Sequence, residues 1–203
     1  MKNRQEIKIT FSKGGDLRFI SHRNVASLLE RAVRRAKLSV AFSEGYNPRP
    51  RISFPSALET GVASDCEIVF IRLRQCRDNA VLAKDLAREL PEEIAVLEVE
   101  KADKETLRSM KGAGYAVSLP EDRALDQEDL DSVRESGVVE RERSKKSIKL
   151  SSYVCRLQLQ GENLEMEIAA DADGSLRPRE ILKALCVDDP LALDVRRTHV
   201  ALG

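Results

Sequence analysis

Lys13, Arg18, Ser21 and His22 stand just before a helical pattern that carries Arg31, Arg34 and Arg35. Glu44, Tyr46, Asn47, Arg49 and Arg51 stand just after it. These residue types suit phosphate chemistry. A guanidinium presents paired donors that match phosphate oxygens. The start of a helix favours an anion. Tyr46, with Phe42 four residues earlier, can stack a base. His22 among arginines could also move a proton during phosphodiester cleavage, with the cations stabilising the developing charge. Two readings follow. In the first, Arg18, Arg31, Arg34, Arg35, Arg49 and Arg51, together with Lys13 and Ser21, hold RNA without reaction, and Glu44, Asn47 and His22 shape a specific pocket. In the second, His22 serves as acid or base in a metal-independent endoribonuclease. A third use of the same basic face is docking onto an acidic protein surface.

Charge placement favours an anionic partner. Residues 1–60 hold 12 Lys or Arg against 5 Asp or Glu, whereas residues 61–140 hold 11 against 19. A chain of zero net charge that is basic at one end meets anions there. Other chemistries lack their motifs. Neither GxGxxG nor GxxxxGK[ST] occurs, so no nucleotide cofactor is expected. His22 and His199 are the only imidazoles, and no cysteines form a CxxC pair, so no metal is expected. Of the four cysteines, Cys66, Cys155 and Cys186 lie in apolar runs and read as buried thiols. The charged start MKNRQEIKIT has no apolar h-region, and no run approaches membrane-spanning length. A reduced cytoplasmic protein is expected.

The elements that must position these residues follow from periodicity. Ile7, Ile9 and Phe11 alternate with polar residues as a half-buried strand. Gly14-Gly15 breaks it. Ser21 is the favoured cap of a helix reaching about Lys37, with Val25, Leu28, Leu29, Ala32, Val33 and Ala36 on one stripe. Leu38–Phe42 is extended. In the loop SEGYNPRPRISF, Gly45 can take a positive φ, while Pro48 and Pro50 stiffen the backbone around Asn47, Arg49 and Arg51. Strands are expected at Arg51–Phe54, Cys66–Leu73 and Ile94–Glu100, with a helix from Asp78 to Glu89.

After a connector with a helical turn at ETLRSM, the pattern nearly repeats. It gives a strand at Tyr115–Leu119, a helix at about Gln127–Glu135, a strand at Val138–Arg143 and a basic turn at Lys145–Lys149. A hairpin of Tyr153–Gln160 with Asn163–Ala169 follows, then a helix opened by Pro178 and a strand at Leu191–Leu202. The expected fold is α+β, with two tandem split βαβ (ferredoxin-like) units, the second with an extra strand. The units are placed at residues 1–102, carrying the basic motif, and 103–203.

The run FSKGGDLRFISHRNVASLLERAVRRAKLSVAFSEGYNPRPRISF resembles the radical-SAM-associated domain family of unknown function. The matching residues are Lys13, Gly14, Arg18, Phe19, Ser21 and His22, then Glu30, Arg31, Ala32, Arg34, Arg35 and Ala36, then Ser43 to Pro48, Pro50, Ser53 and Phe54. The stretches ERERSKKSIKLSSYV and LRPREILKALCVDDPLALDVRRTHV look like the family's C-terminal part. Arg23 and Asn24 replace the apolar residue and Asp that usually follow Ser-His. The resemblance implies a companion to a radical SAM enzyme, carried here on a separate chain because CxxxCxxC is absent. No cofactor of its own is implied. Together these readings make the chain an accessory RNA-binding module for that enzyme, in RNA modification or processing.

Overall fold

The computed structural model describes residues 5–102, 109–119, 125–141, 146–187 and 189–203. Within them the fold is mixed α+β, with four α-helices and mostly antiparallel strands. The chain divides into two compact units, Met1–Ser109 with Leu202–Gly203, and Met110–Ala201.

In the first unit, strand β1 (Gln5–Lys13) alternates as its sequence demands, and Ile7, Ile9 and Phe11 are buried. It lies between β3 (Val62–Leu73) and β4 (Val96–Lys101), antiparallel to both. The short β2 (Ile52–Ser53) pairs with the other edge of β3, so the order is β4-β1-β3-β2. Helices α1 (His22–Arg35) and α2 (Asn79–Ala87) pack on this sheet. Val25, Leu29, Ala32 and Val33 of α1 join Leu82 and Leu86 of α2 over Ile9, Val69 and Ile71. Leu28 and Ala36 lie at the margin of that core. Strand β3 starts at Val62, ahead of the expected Cys66, because Ser64 still pairs with Lys13. Within β4, Leu97 faces outward and is 55% exposed. Val96 and Val99 take the core side across a register shift, and adjacent residues of a strand cannot share a face.

Both helices are capped by the residues their sequences offer. The Ser21 hydroxyl accepts from the Asn24 N–H at 3.3 Å, and Asp78 accepts from Val81 at 3.0 Å. Removing the first cap with Ser21→Ala is expected to destabilise the first unit by about 1 kcal/mol in urea titrations, since one helix N–H loses its acceptor. Helix α1 ends in a left-handed turn, with Lys37 at φ 53° and the Leu38 N–H donating to Val33 O at 3.1 Å.

In the second unit, β5 (Met110–Ser118) pairs antiparallel with β9 (Asn163–Asp171). Strand β8 (Val154–Gln160) takes the other edge of β9, and β11 (Val195–Leu202) neighbours β5, giving the order β11-β5-β9-β8. The two-residue β10 (Gly174–Ser175) continues along β9. Helices α3 (Gln127–Ser136) and α4 (Pro178–Ala184) bury Leu130, Ile181 and Leu182. Strands β6 (Val138–Arg141) and β7 (Lys146–Lys149) form a separate ribbon. Lys146–Lys149 was expected as a basic turn. Pairing of Ile148 with Val139 makes it a strand. The expected turn ETLRSM and the end of the expected strand at Arg143 lie largely outside the described residues.

Strand β5 also begins earlier than expected, at Met110. Its glycines read as a connector, yet Gly114 lies inside the strand with an imidazole packed over it. His199 of β11 crosses over it to reach Glu167 of β9 at 3.2 Å, and a Cβ at Gly114 would collide with that ring. Two thiols expected inside are at the surface. Cys155 and Cys186 are exposed and Cys66 is half-buried. Cys155 falls on the outer side of β8 beside a register shift, and Cys186 sits in a left-handed turn after α4, at φ 54°.

Candidate nucleic-acid interface

The polar sequence that follows α1 folds as a hairpin. Its outgoing arm runs from Ser39 to Ser43 and its returning arm from Arg49 to Arg51. Ser43 N–H donates to Arg49 O at 2.8 Å, Arg51 N–H donates to Ala41 O at 2.8 Å, and Phe42 bridges Pro50. The Ser43 hydroxyl closes the neck by accepting from the Arg49 N–H at 2.9 Å. The base of the hairpin is bonded to β3. Ala41 N–H donates to Arg72 O at 2.7 Å, Arg72 N–H to Arg51 O at 3.0 Å, and Arg74 N–H to Ser39 O at 2.7 Å. Gly45 turns the tip at φ 127°, a conformation that disfavours any side chain. The prolines and the backbone pairing together hold this projection stiff.

What the hairpin displays is aromatic and cationic. Tyr46 at the tip is 99% exposed, and Phe42 on the outgoing arm is 42% exposed. The Arg74 guanidinium stands 5.6 Å from the Phe42 ring centroid. Glu44, Asn47, Arg49 and Arg51 are all exposed. On α1, Arg31 and Arg34 lie on the solvent side, because the opposite stripe is in the core.

Other expected members stand elsewhere. Lys13 was assigned to the RNA-contacting surface but is 1% exposed, and its ammonium donates to Arg18 O at 3.3 Å. It ends β1 with the inward parity of Ile9 and Phe11, and it ties the 3-10 turn Gly15–Phe19 to the sheet. Arg18 O also accepts from Gly61 N–H at 2.7 Å, while the Arg18 guanidinium lies 4.8 Å from the Phe19 ring. Arg35 is held by Glu89, with Nε to Oε2 at 2.8 Å and a further bond to the Glu89 carbonyl. His22 is half-buried, its ring edge-on to Phe54 at 4.8 Å. That contact links the start of α1 to the segment after the hairpin. Tyr46 is 99% exposed and so does not pack against His22. Sequence reasoning missed Arg74 and Phe54. The alternation Arg72, Arg74 at the end of β3 was the available signal for the first.

Among the described residues, no group of three or more His, Cys, Asp or Glu could hold a metal ion. No helix among them is long and apolar enough to cross a membrane. Residues 6–178 match the family described as "Uncharacterized protein conserved in bacteria (DUF2344)". The chain belongs to this family. It spans the hairpin, both helices of the first unit and most of the second unit. Curated proteins give no match.

Several solved structures are similar. One is the archaeal box H/ACA sRNP Nop10–Cbf5 complex, at 11% identity and a TM-score of 0.44, covering 94% of this chain and 46% of that one. Another is an unknown protein from Galdieria sulphuraria, at 11% identity and a TM-score of 0.31, covering 98% and 100%. A third is Escherichia coli aspartokinase III, at 12% identity and a TM-score of 0.26, covering 82% and 29%. This chain therefore spans under half the length of the first of these. Similarity at this level assigns no activity to the DUF2344 chain.

Proposed function

We propose that this DUF2344 chain is an accessory RNA-binding module that serves a radical SAM enzyme carried on a separate chain. The observation that carries the RNA reading is the stiff hairpin at residues 39–51. It presents Tyr46, Phe42, Arg49 and Arg51 to solvent, with Arg74 over the Phe42 ring, and the helix that precedes it in the chain bears Arg31 and Arg34 on its outer side. Exposed cations bind the phosphate backbone without regard to sequence, and exposed rings offer stacking surfaces. Pre-ordering by the bonds to β3 lowers the entropy lost on binding. The radical SAM partnership rests on the sequence resemblance alone.

The tandem split βαβ duplication belongs to the same proposal. The first unit runs strand, helix, strand, strand, helix, strand, and the second does so once the β6–β7 ribbon and the two-residue β10 are set aside; β1 is flanked by β3 and β4, and β5 by β9 and β11. The β6–β7 ribbon is then an insertion after α3. Such units are widely used as platforms, and the order of elements by itself carries no chemistry.

The test uses total cellular RNA and a tRNA fraction with chelator present, read by gel shift at two salt concentrations. Wild-type protein is expected to shift RNA intact, and less so at the higher salt. Arg31→Ala with Arg34→Ala is expected to weaken binding about tenfold and to lower the salt slope by roughly 1.5, as loss of two phosphate contacts requires. Arg35 is left in place because Glu89 holds it. Unchanged affinity and slope in the double variant would remove the helix from the interface. A pull-down that recovers no radical SAM enzyme would remove the partnership.

A further inference from the structure

We infer that the 39–51 hairpin selects unpaired RNA, with Tyr46 stacking on a splayed base and Arg49, Arg51 and Arg74 holding the phosphates beside it. The inference rests on the RNA reading above and narrows its substrate class. Four observations lead to it.

Tyr46 is 99% exposed at the tip of a projection. A ring placed there has no role in the core, and a face it can cover must come from outside. In a paired A-form helix the base faces are already covered by their neighbours, and the deep groove is too narrow for side chains to read. Only unpaired nucleotides offer a base face to a protruding ring.

The arm behind the ring is fixed. Two backbone bonds to Arg72 of β3, one to Arg74 just beyond it, and the Phe42–Pro50 bridge hold both strands of the hairpin. The backbone arms that carry the tip therefore have little freedom to lose when Tyr46 stacks, so more of the stacking energy appears as affinity.

A second platform lies along the same hairpin. Phe42 is 42% exposed with the Arg74 guanidinium 5.6 Å from its centroid. A planar guanidinium beside an aromatic ring is itself a surface on which a base stacks.

Charge is graded along the projection. Glu44 sits at the tip, with Arg49 and Arg51 on the returning arm and Arg74 at its base. A carboxylate repels phosphate and accepts from base amino groups, as it does from cytosine N4. The tip thus suits bases and the arm suits backbone. That polarity fits a strand whose bases are turned toward the protein.

The experiment measures anisotropy of a labelled, unstructured oligoribonucleotide and of the blunt duplex it forms with its complement, at about 100 mM salt. The single strand is expected to bind about tenfold tighter than the duplex. Tyr46→Ala is expected to lose about tenfold on the single strand with the salt slope unchanged, while Tyr46→Phe keeps the wild-type affinity. Equal or tighter binding of the duplex would overturn the inference. So would a Tyr46→Ala variant that binds the single strand as wild type does while Arg31→Ala with Arg34→Ala still weakens it. Either result leaves the RNA reading intact. Failure of both RNAs to bind at low salt overturns the RNA reading as well and assigns the hairpin to a protein surface.

Discussion

Leu29→Ala is expected to lower the stability of the first unit by about 3.5 kcal/mol, the middle of the range that truncating a fully buried leucine costs. Leu29 is 0% exposed and sits at the centre of the α1 stripe, among Val25, Ala32 and Val33. It faces the core formed by β1, β3 and α2. The loss combines the transfer energy of three carbons with a cavity that a sheet and two helices cannot collapse to fill. In urea the midpoint should fall with an unchanged m-value, because the surface exposed on unfolding is the same. At a temperature where the variant stays folded, the RNA affinity proposed above should remain within about twofold of wild type, since Arg31 and Arg34 lie on the other side of the helix. A loss below about 1 kcal/mol would show that α1 is not seated as described.

The second large effect is expected at Glu180. Its carboxylate accepts from Arg141 Nε and Nη2, both at 2.7 Å, and from the Arg177 N–H at 2.8 Å. Arg141 also donates to Ser175 O at 2.6 Å. This bidentate pair joins the β6–β7 ribbon to the start of α4. Burial alone would push the Glu180 carboxyl up. The Arg141 hydrogen bond, the Arg177 N–H and the nearby positive charge outweigh it and hold the carboxyl below the usual range. Arg141 is shifted the opposite way by the same bond, against its own burial.

Glu180→Gln is expected to destabilise the second unit by about 2 kcal/mol at neutral pH. That is the loss of a charge-assisted pair, discounted because its side chains are 29% and 20% exposed. The sign with pH follows from the lowered carboxyl. The stabilisation is fully present above the unfolded value of about 4.3 and disappears as pH falls through the folded value. Wild type and variant should therefore differ at neutral pH and converge in acid. A gap that stays constant from neutral pH into acid would show that shape, and not charge, holds the ribbon. Amide exchange along β6, β7 and α4 would localise the effect.

Much of the first unit could be read from local pattern. The Ser21 cap, the α1 stripe and the alternation of β1 are short-range features, and the structure places them as their spacing requires. What escaped was decided by long-range partners. The 39–51 segment looked stiff because of its prolines. Its closure comes as much from Arg72 and Arg74, whose backbone groups receive it on the edge of β3. Lys13 has the composition of a surface residue, and only the continuation of β1 into its pairing with Ser64 buries it. Arg35 belongs to the same basic run as Arg31 and Arg34, but Glu89 from the end of α2 captures it. In the second unit, Gly112 and Gly114 read as a linker because nothing local announces that an imidazole from β11 needs the space above Gly114. The thiols of Cys155 and Cys186 follow the same lesson. Apolar neighbours in sequence do not fix which side of a strand, or of a helix end, a residue takes.

The hairpin has a further property that follows from how it is built. All the side chains from Glu44 to Arg49 are exposed, whereas Val40 and Ala41 on the outgoing arm are buried. Stability therefore resides in the stem, and the recognition proposed above falls to the tip. Except at Gly45, substitutions at the tip leave the folding energy almost untouched, as exposed loop positions generally do. The tip can therefore be altered by substitution while the scaffold is kept. The stem, in contrast, is constrained by the sheet to which it is joined.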